Sequence, residues 1–246
     1  MILAKRPLLS RLPPWLSRWF GYRASPPEKP PKYIAWFWSW IGAFCGLSVI
    51  MAVFGQAQYF INRKVPLLVA SYGASAVLIY GAQDAPLAQP RALVAGHFIS
   101  ALIGVCISKL FQLSSNFENL RWLSASISCA TAIVVMQITE TTHPPAGASA
   151  LLPSIDTDLQ DLGWYYLPVI LLSSTLALAV ALVLNNIQRR YPSYWIAPEK
   201  YVDETEDPGK STRTSDLDVT GSEVSIQSPR VDGDVEKSNV HTVQSA

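Results

Sequence analysis

The stretch Glu140-Thr141-Thr142-His143-Pro144-Pro145-Ala146-Gly147-Ala148-Ser149-Ala150 sets an imidazole, a carboxylate and several hydroxyls around two consecutive prolines, in a chain that is apolar over long runs on either side. Prolines stop a helix arriving from the preceding apolar run. Ionisable groups and irregular backbone at membrane depth are costly and persist where they line a cavity or pack inside a bundle. His143 is therefore the sharpest candidate: a ligand-facing donor or proton carrier, or else a satisfied cap on a loop carbonyl. A metal ligand is the weakest reading, since His97 and Glu140 are its only obvious partners and their spacing matches no metal signature. After Pro144-Pro145 a fresh helix starts near Gly147 and Ser149, where unpaired N–H groups, the positive end of the dipole and a hydroxyl would suit a small anion. The alternative is that Gly-Ala-Ser only lets helices pack closely.

The same element occurs earlier. Gly73-Ala74-Ser75-Ala76-Val77-Leu78 recurs 74 positions later as Gly147-Ala148-Ser149-Ala150-Leu151-Leu152, identical at five of six positions. That offset also carries the apolar run from Ala92 onto the one from about Tyr166. The pattern predicts an internal duplication, with Gly73 and Ser75 as counterparts of Gly147 and Ser149. A pair of short Gly/Pro-interrupted segments in corresponding positions is a pointer to a transport site. Arg91 opens a full helix, either as an interfacial charge or as a group that draws an anion to a pore mouth. His97 flanks a stripe of small residues, Gly96, Ser100, Gly104 and Ser108, which places it toward the bundle interior. Ser124, Ser128 and Ala132 form a similar stripe on the next helix, so those two helices are expected to pack together.

The elements that must position these groups are membrane helices. Half of the 246 residues are hydrophobic and only 15% are charged, against about 25% charged in soluble proteins. Between positions 34 and 186 the only basic residues are Arg63, Lys64, Arg91, Lys109 and Arg121. Four runs, 34–55, 92–111, 122–138 and 165–184, approach the ~20 residues needed to cross a bilayer. A fifth, 65–82, is short and built of small residues, so that four or six crossings stay open. The prediction is an all-α polytopic helical bundle with four full spanning helices and two short interrupted or re-entrant Gly-Ala-Ser elements. Its parts are a basic, proline-rich segment (1–32), a transmembrane domain (33–190) and a disordered acidic tail (191–246). Trp15, Leu16, Trp19 and Phe20, interleaved with Arg11 and Arg18, read as an amphipathic turn on the membrane surface.

Lysines and arginines crowd before the first run and at Arg189-Arg190, whereas Glu140, Asp156, Asp158 and Asp161 line a connection without basic residues. That bias puts both termini in the cytosol. Cys45, Cys106 and Cys129 are isolated within apolar runs and argue against a disulfide framework. No phosphate-binding loop, nucleophile elbow or dinucleotide fingerprint is present, and His143 with Ser149 lacks an orienting third group, so an enzyme is not expected. No cofactor, metal or nucleic acid is implied; a homo-oligomer stays open.

Thr142-His143-Pro144-Pro145-Ala146-Gly147-Ala148-Ser149-Ala150-Leu151-Leu152 resembles the signature of the HPP family of integral membrane proteins. Gly73-Ala74-Ser75-Ala76-Val77-Leu78, Pro86-Leu87-Ala88-Gln89-Pro90-Arg91 and Gly96-His97 are similar to its other characteristic blocks. The resemblance implies a small helical membrane domain. It also brings nitrite forward as a substrate, because plastid members of plants are associated with nitrite transport. The resulting expectation is a carrier or channel-like transporter for a small inorganic anion held by His143, Pro144, Pro145, Gly147, Ser149, Gly73, Ser75, Arg91, His97 and Thr142. The competing reading is a non-transporting membrane scaffold whose tails recruit partners.

Overall fold

A computed structural model describes residues 13–22 and 31–196. The acidic tail expected beyond 196 and the first basic residues lie outside the described residues. The described residues are helical and contain no strand. In chain order they form α1 (Pro14–Trp19), α2 (Lys32–Gln56), α3 (Gln58–Ile61), α4 (Ser71–Ala76), α5 (His97–Phe111), α6 (Phe117–Ile138), α7 (Ala146–Ile155), α8 (Thr157–Leu162) and α9 (Tyr166–Gln188). Wide π-type turns extend α4 through Val77–Gly81 and precede α5 over Ala92–Gly96.

By length and composition four helices suffice to cross a membrane: Lys32–Gln56, Ala92–Phe111, Phe117–Ile138 and Thr157–Gln188. The two Gly-Ala-Ser elements do not. Ser71–Gly81 and Ala146–Ile155 are each about 15 Å long at 1.5 Å per residue, half the hydrocarbon thickness. The sequence alone left four or six crossings open; the lengths favour four. The third spanning helix starts at Phe117 rather than Trp122, which puts Glu118 and Arg121 in its first two turns, joined by a 2.8 Å ion pair.

The breaks have local causes. Helix α6 is closed by Glu140, two residues past its last turn, whose φ of 52° is left-handed. The Thr141 N–H returns to the Met136 carbonyl (2.9 Å) and the Glu140 N–H to the Gln137 carbonyl (3.2 Å), a Schellman closure with glutamate where glycine is usual. Pro145 then supplies the residue before α7 with φ −60° already set for a helix. Further on, Asp156 caps α8 by accepting from the N–H groups of Asp158 and Leu159 at 3.0 and 3.1 Å.

Helices α5, α6 and α7 pack mutually through small residues. The α5 stripe meets α7 at Gly104, which lies against the Ala150 carbonyl, and at Ser108, which donates to the Pro153 carbonyl (2.8 Å). It meets α6 where Ser100 faces the Met136 sulfur. The α6 stripe reaches α7 through Ser124 and Ser154 at 2.8 Å. The expected α5–α6 contact is present, and the short α7 packs against both stripes. On the other side α2 packs on α9, and the Tyr80 ring lies over Gly42 and Gly46. The apolar core joins α2, α4, α5 and α9 through Ile50, Phe54, Tyr72, Ile79, Leu93, Val105 and Ile170.

The folded domain continues past the last spanning helix. Tyr191 is fully buried and its hydroxyl donates to the Ala88 carbonyl (2.8 Å). The Ser193 N–H donates to Gln89 Oε1 (2.9 Å), and Arg91 donates to the Ile196 carbonyl (3.0 Å). Residues 191–196 thus form a strap over the 86–89 turn, not the start of the tail. Helix α1 is fixed to the same end, since Arg18 donates to the carbonyls of Asn186 and Ile187. Trp15, Trp19 and the following Phe20 stay exposed.

Candidate functional site

The unwound stretches before α5 and α7, together with the short α4, converge on one buried polar cluster. Ser75 from α4 lies 2.8 Å from His97 Nε2 and 2.9 Å from His143 Nε2, so a single hydroxyl bridges two imidazoles. The other nitrogen of His97, Nδ1, faces Ser149 Oγ from α7 at 2.8 Å. The serines of the two Gly-Ala-Ser motifs thereby hold the two ring nitrogens of one histidine. Ser71, one turn before Ser75, completes the row at 2.9 Å from Ser149. At the far end His143 Nδ1 meets the Leu87 carbonyl at 2.8 Å.

All five side chains are buried, and Ser75, His97, His143 and Ser149 have no exposed surface. Tyr72 stacks on His97 with ring centroids 4.5 Å apart, and its hydroxyl donates to the Ile170 carbonyl (2.7 Å) beside Ser174. Tyr166 donates to the Ser149 carbonyl at 3.2 Å. Among the described residues no carboxylate, lysine or arginine bonds to the cluster, and no group of three His, Cys, Asp or Glu side chains could hold a metal. Its chemistry is that of neutral donors and acceptors: hydroxyls and imidazoles that can donate to an anion or pass protons.

The remaining sequence candidates divide by place. Thr142, Pro144 and Gly147 line a cleft of about 410 Å³ between α6 and α7, with Cys129, Ile133, Met136, Ala148 and Leu151. Pro145 is buried beneath the break. Arg91 stands outside the cluster: it donates to the Thr139 carbonyl (2.6 Å) and pairs with Glu140 at 3.6 Å, which offsets its charge. A Cβ at Gly73 would meet nothing within 4 Å, so this glycine does not serve a close approach. The helix starts are not open anion cradles either. The N–H groups of Ala146, Gly147 and Ala148 are taken by the carbonyls of His143, Pro144 and Pro145, and those of Tyr72 and Gly73 by Val69 and Ala70.

The region 28–192 matches the family model described as HPP, transmembrane region. The chain belongs to the HPP transmembrane family. Two curated relatives are transmembrane proteins of Dictyostelium discoideum. One is 34% identical over 185 residues, covering 74% of this chain and 63% of the relative; the other is 35% identical over 185 residues, covering 74% and 57%. The matched part thus spans about six tenths of each of those relatives. No solved structure matches. The HPP domain is an integral, multi-pass helical membrane domain, and its naming motif places His143 at one end of the buried cluster.

Ser71, Tyr72 and the Leu87 carbonyl were not among the sequence candidates. Ser71 had a signal, since it lies four residues before Ser75 on the same helical face. The carbonyl had none, because every residue carries one.

Proposed function

We propose that this HPP protein is a membrane carrier or channel-like transporter for a small inorganic anion, with nitrite the first candidate. The observation that supports it best is the cluster itself: two histidines and three serines buried at the meeting point of broken helices, with no acidic group among them. Such a site disfavours cations and offers hydroxyl and imidazole donors to an oxyanion. Polar groups of this kind are expensive inside a membrane bundle unless they have work to do.

On this reading the anion reaches the cluster past Thr142 and Pro144, the chain neighbours of His143, which line the otherwise apolar cleft between α6 and α7. It then takes over hydroxyl bonds that Ser149 and Ser75 make to the imidazoles. Nitrite is preferred because plastid members of the family are associated with it. The even number of spanning helices agrees with both termini facing one side, and the excess of lysine and arginine near both ends makes that side the cytosol. The two Gly-Ala-Ser elements are read as halves of an ancient duplication that dip into the bilayer without crossing it.

The test is nitrite uptake into proteoliposomes holding the full chain, with His143→Ala and Ser149→Ala variants. Uptake above protein-free vesicles that falls at least tenfold in each variant supports the reading. Wild-type uptake no faster than empty vesicles, or uptake unchanged in both variants, overturns it.

A further inference from the structure

The directions of the cluster's hydrogen bonds follow from one fixed acceptor. The Leu87 carbonyl can only accept, so the His143 Nδ1 that lies 2.8 Å from it carries a hydrogen. In the neutral ring Nε2 is then bare, and Ser75 at 2.9 Å must donate to it. A hydroxyl has one hydrogen, so Ser75 accepts from His97 Nε2 at 2.8 Å, which fixes His97 as the Nε2–H tautomer. His97 Nδ1 is bare in turn and receives the Ser149 hydroxyl, and Ser149 accepts from Ser71. Every bond from Ser71 to Leu87 therefore points the same way. The alternative for Ser75, donation to the Ser71 carbonyl at 3.2 Å, would leave two acceptors, Ser75 Oγ and His143 Nε2, facing each other.

We propose that this row is a proton relay, Ser71 to Ser149 to His97 to Ser75 to His143, that delivers positive charge to His143 beside the anion cleft. A proton arriving at Ser71 lets each hydrogen of the row move across one bond. The Ser71 hydrogen passes to Ser149, that of Ser149 to His97 Nδ1, that of His97 Nε2 to Ser75, and that of Ser75 to His143 Nε2. The hydroxyls and His97 end neutral with their bonds reversed, and His143 ends as an imidazolium donating to both Ser75 and Leu87. One proton has entered and one charge has appeared; no bond other than O–H and N–H changes. His97 gains one hydrogen and loses another, which is what an imidazole with both nitrogens bonded can do. Tyr72, stacked on His97, and Tyr166, on the Ser149 carbonyl, are the other titratable groups facing the row, and both spend their hydroxyl hydrogens elsewhere. Resting on the anion-carrier reading, the relay makes transport proton-coupled: the imidazolium at His143 attracts the anion and gives up one N–H proton to it, so that His143 returns to the neutral ring and proton and anion leave together without net charge.

Two measurements on the full chain separate the relay from the carrier reading. Nitrogen-15 NMR of histidine-labelled protein in lipid, with His97→Gln and His143→Gln to assign the rings, should show His143 as the Nδ1–H tautomer and His97 as the Nε2–H tautomer at neutral pH. His143 protonated on Nε2 alone, or His97 on Nδ1 alone, overturns the relay whatever the protein transports. In proteoliposomes, nitrite accumulation driven by an inward acid gradient is divided by nitrite exchange at equal pH. That ratio should fall at least tenfold in Ser71→Ala and in Ser75→Ala. A ratio within twofold of wild type overturns the relay while leaving the carrier standing. Wild-type vesicles that neither exchange nor accumulate nitrite overturn the carrier, and the tautomers then decide the relay alone.

Discussion

Replacing Gly96 by alanine probes how tightly the break is held against α5. A methyl built there would lie 2.7 Å from the Thr141 carbonyl oxygen and 3.0 Å from His143 Cβ. Ordinary carbon–oxygen contact begins near ~3.2 Å, so α5 and the 141–143 segment must separate by about 0.5 Å. The contact is with backbone, which cannot rotate away, and overpacking of this kind costs about 1–3 kcal/mol. For a domain of this size 2 kcal/mol lowers Tm by about 4–8 °C. The same displacement carries His143 away from Ser75 and stretches their 2.9 Å bond toward the ~3.5 Å limit of a hydrogen bond. Thermal unfolding of the purified protein in one detergent, followed by tryptophan fluorescence, gives the first number. Gly73→Ala is the control, because a methyl there meets nothing and its effect should stay within about 0.5 kcal/mol. Equal midpoints for Gly96→Ala and wild type, or equal losses for Gly96→Ala and Gly73→Ala, would refute the packing argument.

Tyr72→Phe should cost about 1–3 kcal/mol, because it removes a buried hydroxyl that donates to the Ile170 carbonyl and accepts from Ser174; the same melting assay reads it. Glu140→Gly should raise Tm by about 2–4 °C, since glycine adopts the left-handed conformation at φ 52° without the ~1 kcal/mol penalty and the lost pair with Arg91 is largely exposed. Arg189→Ala should destabilise by about 2–3 kcal/mol, for its guanidinium donates to the carbonyls of Ala35 (2.9 Å) and Tyr80 (3.2 Å) and ties α2 to α4's extension; Arg189→Lys should recover less than half in chemical denaturation.

Much of this is legible in the sequence. His143 and Ser149 stood out because polar residues and prolines are anomalous in apolar surroundings, and the small-residue stripes marked the faces that pack. The meeting of Ser75, His97, His143 and Ser149 was anticipated only as two helix starts confronting each other. What the fold adds is that side chains, not helix-start N–H groups, do the facing. Those N–H groups are consumed locally because Pro144-Pro145 folds the preceding carbonyls back onto them. Arg91 reads from sequence as an interfacial charge or as one that draws in an anion, because its partners, the Thr139 and Ile196 carbonyls and Glu140, are remote in sequence and mostly backbone. The strap escaped notice because residues 191–196 follow a basic helix end, and nothing in their composition announces that Tyr191 is buried.

That strap has a mechanical meaning. The turn it clasps, 86–89, carries the Leu87 carbonyl, the one acceptor that decides which nitrogen of His143 bears hydrogen. The strap is therefore a clamp: Tyr191 and Ser193 hold Ala88 and Gln89 from outside, and the carbonyl between the held residues and Pro86 keeps its aim at His143. Part of the site's rigidity is supplied by chain that lies beyond the last spanning helix.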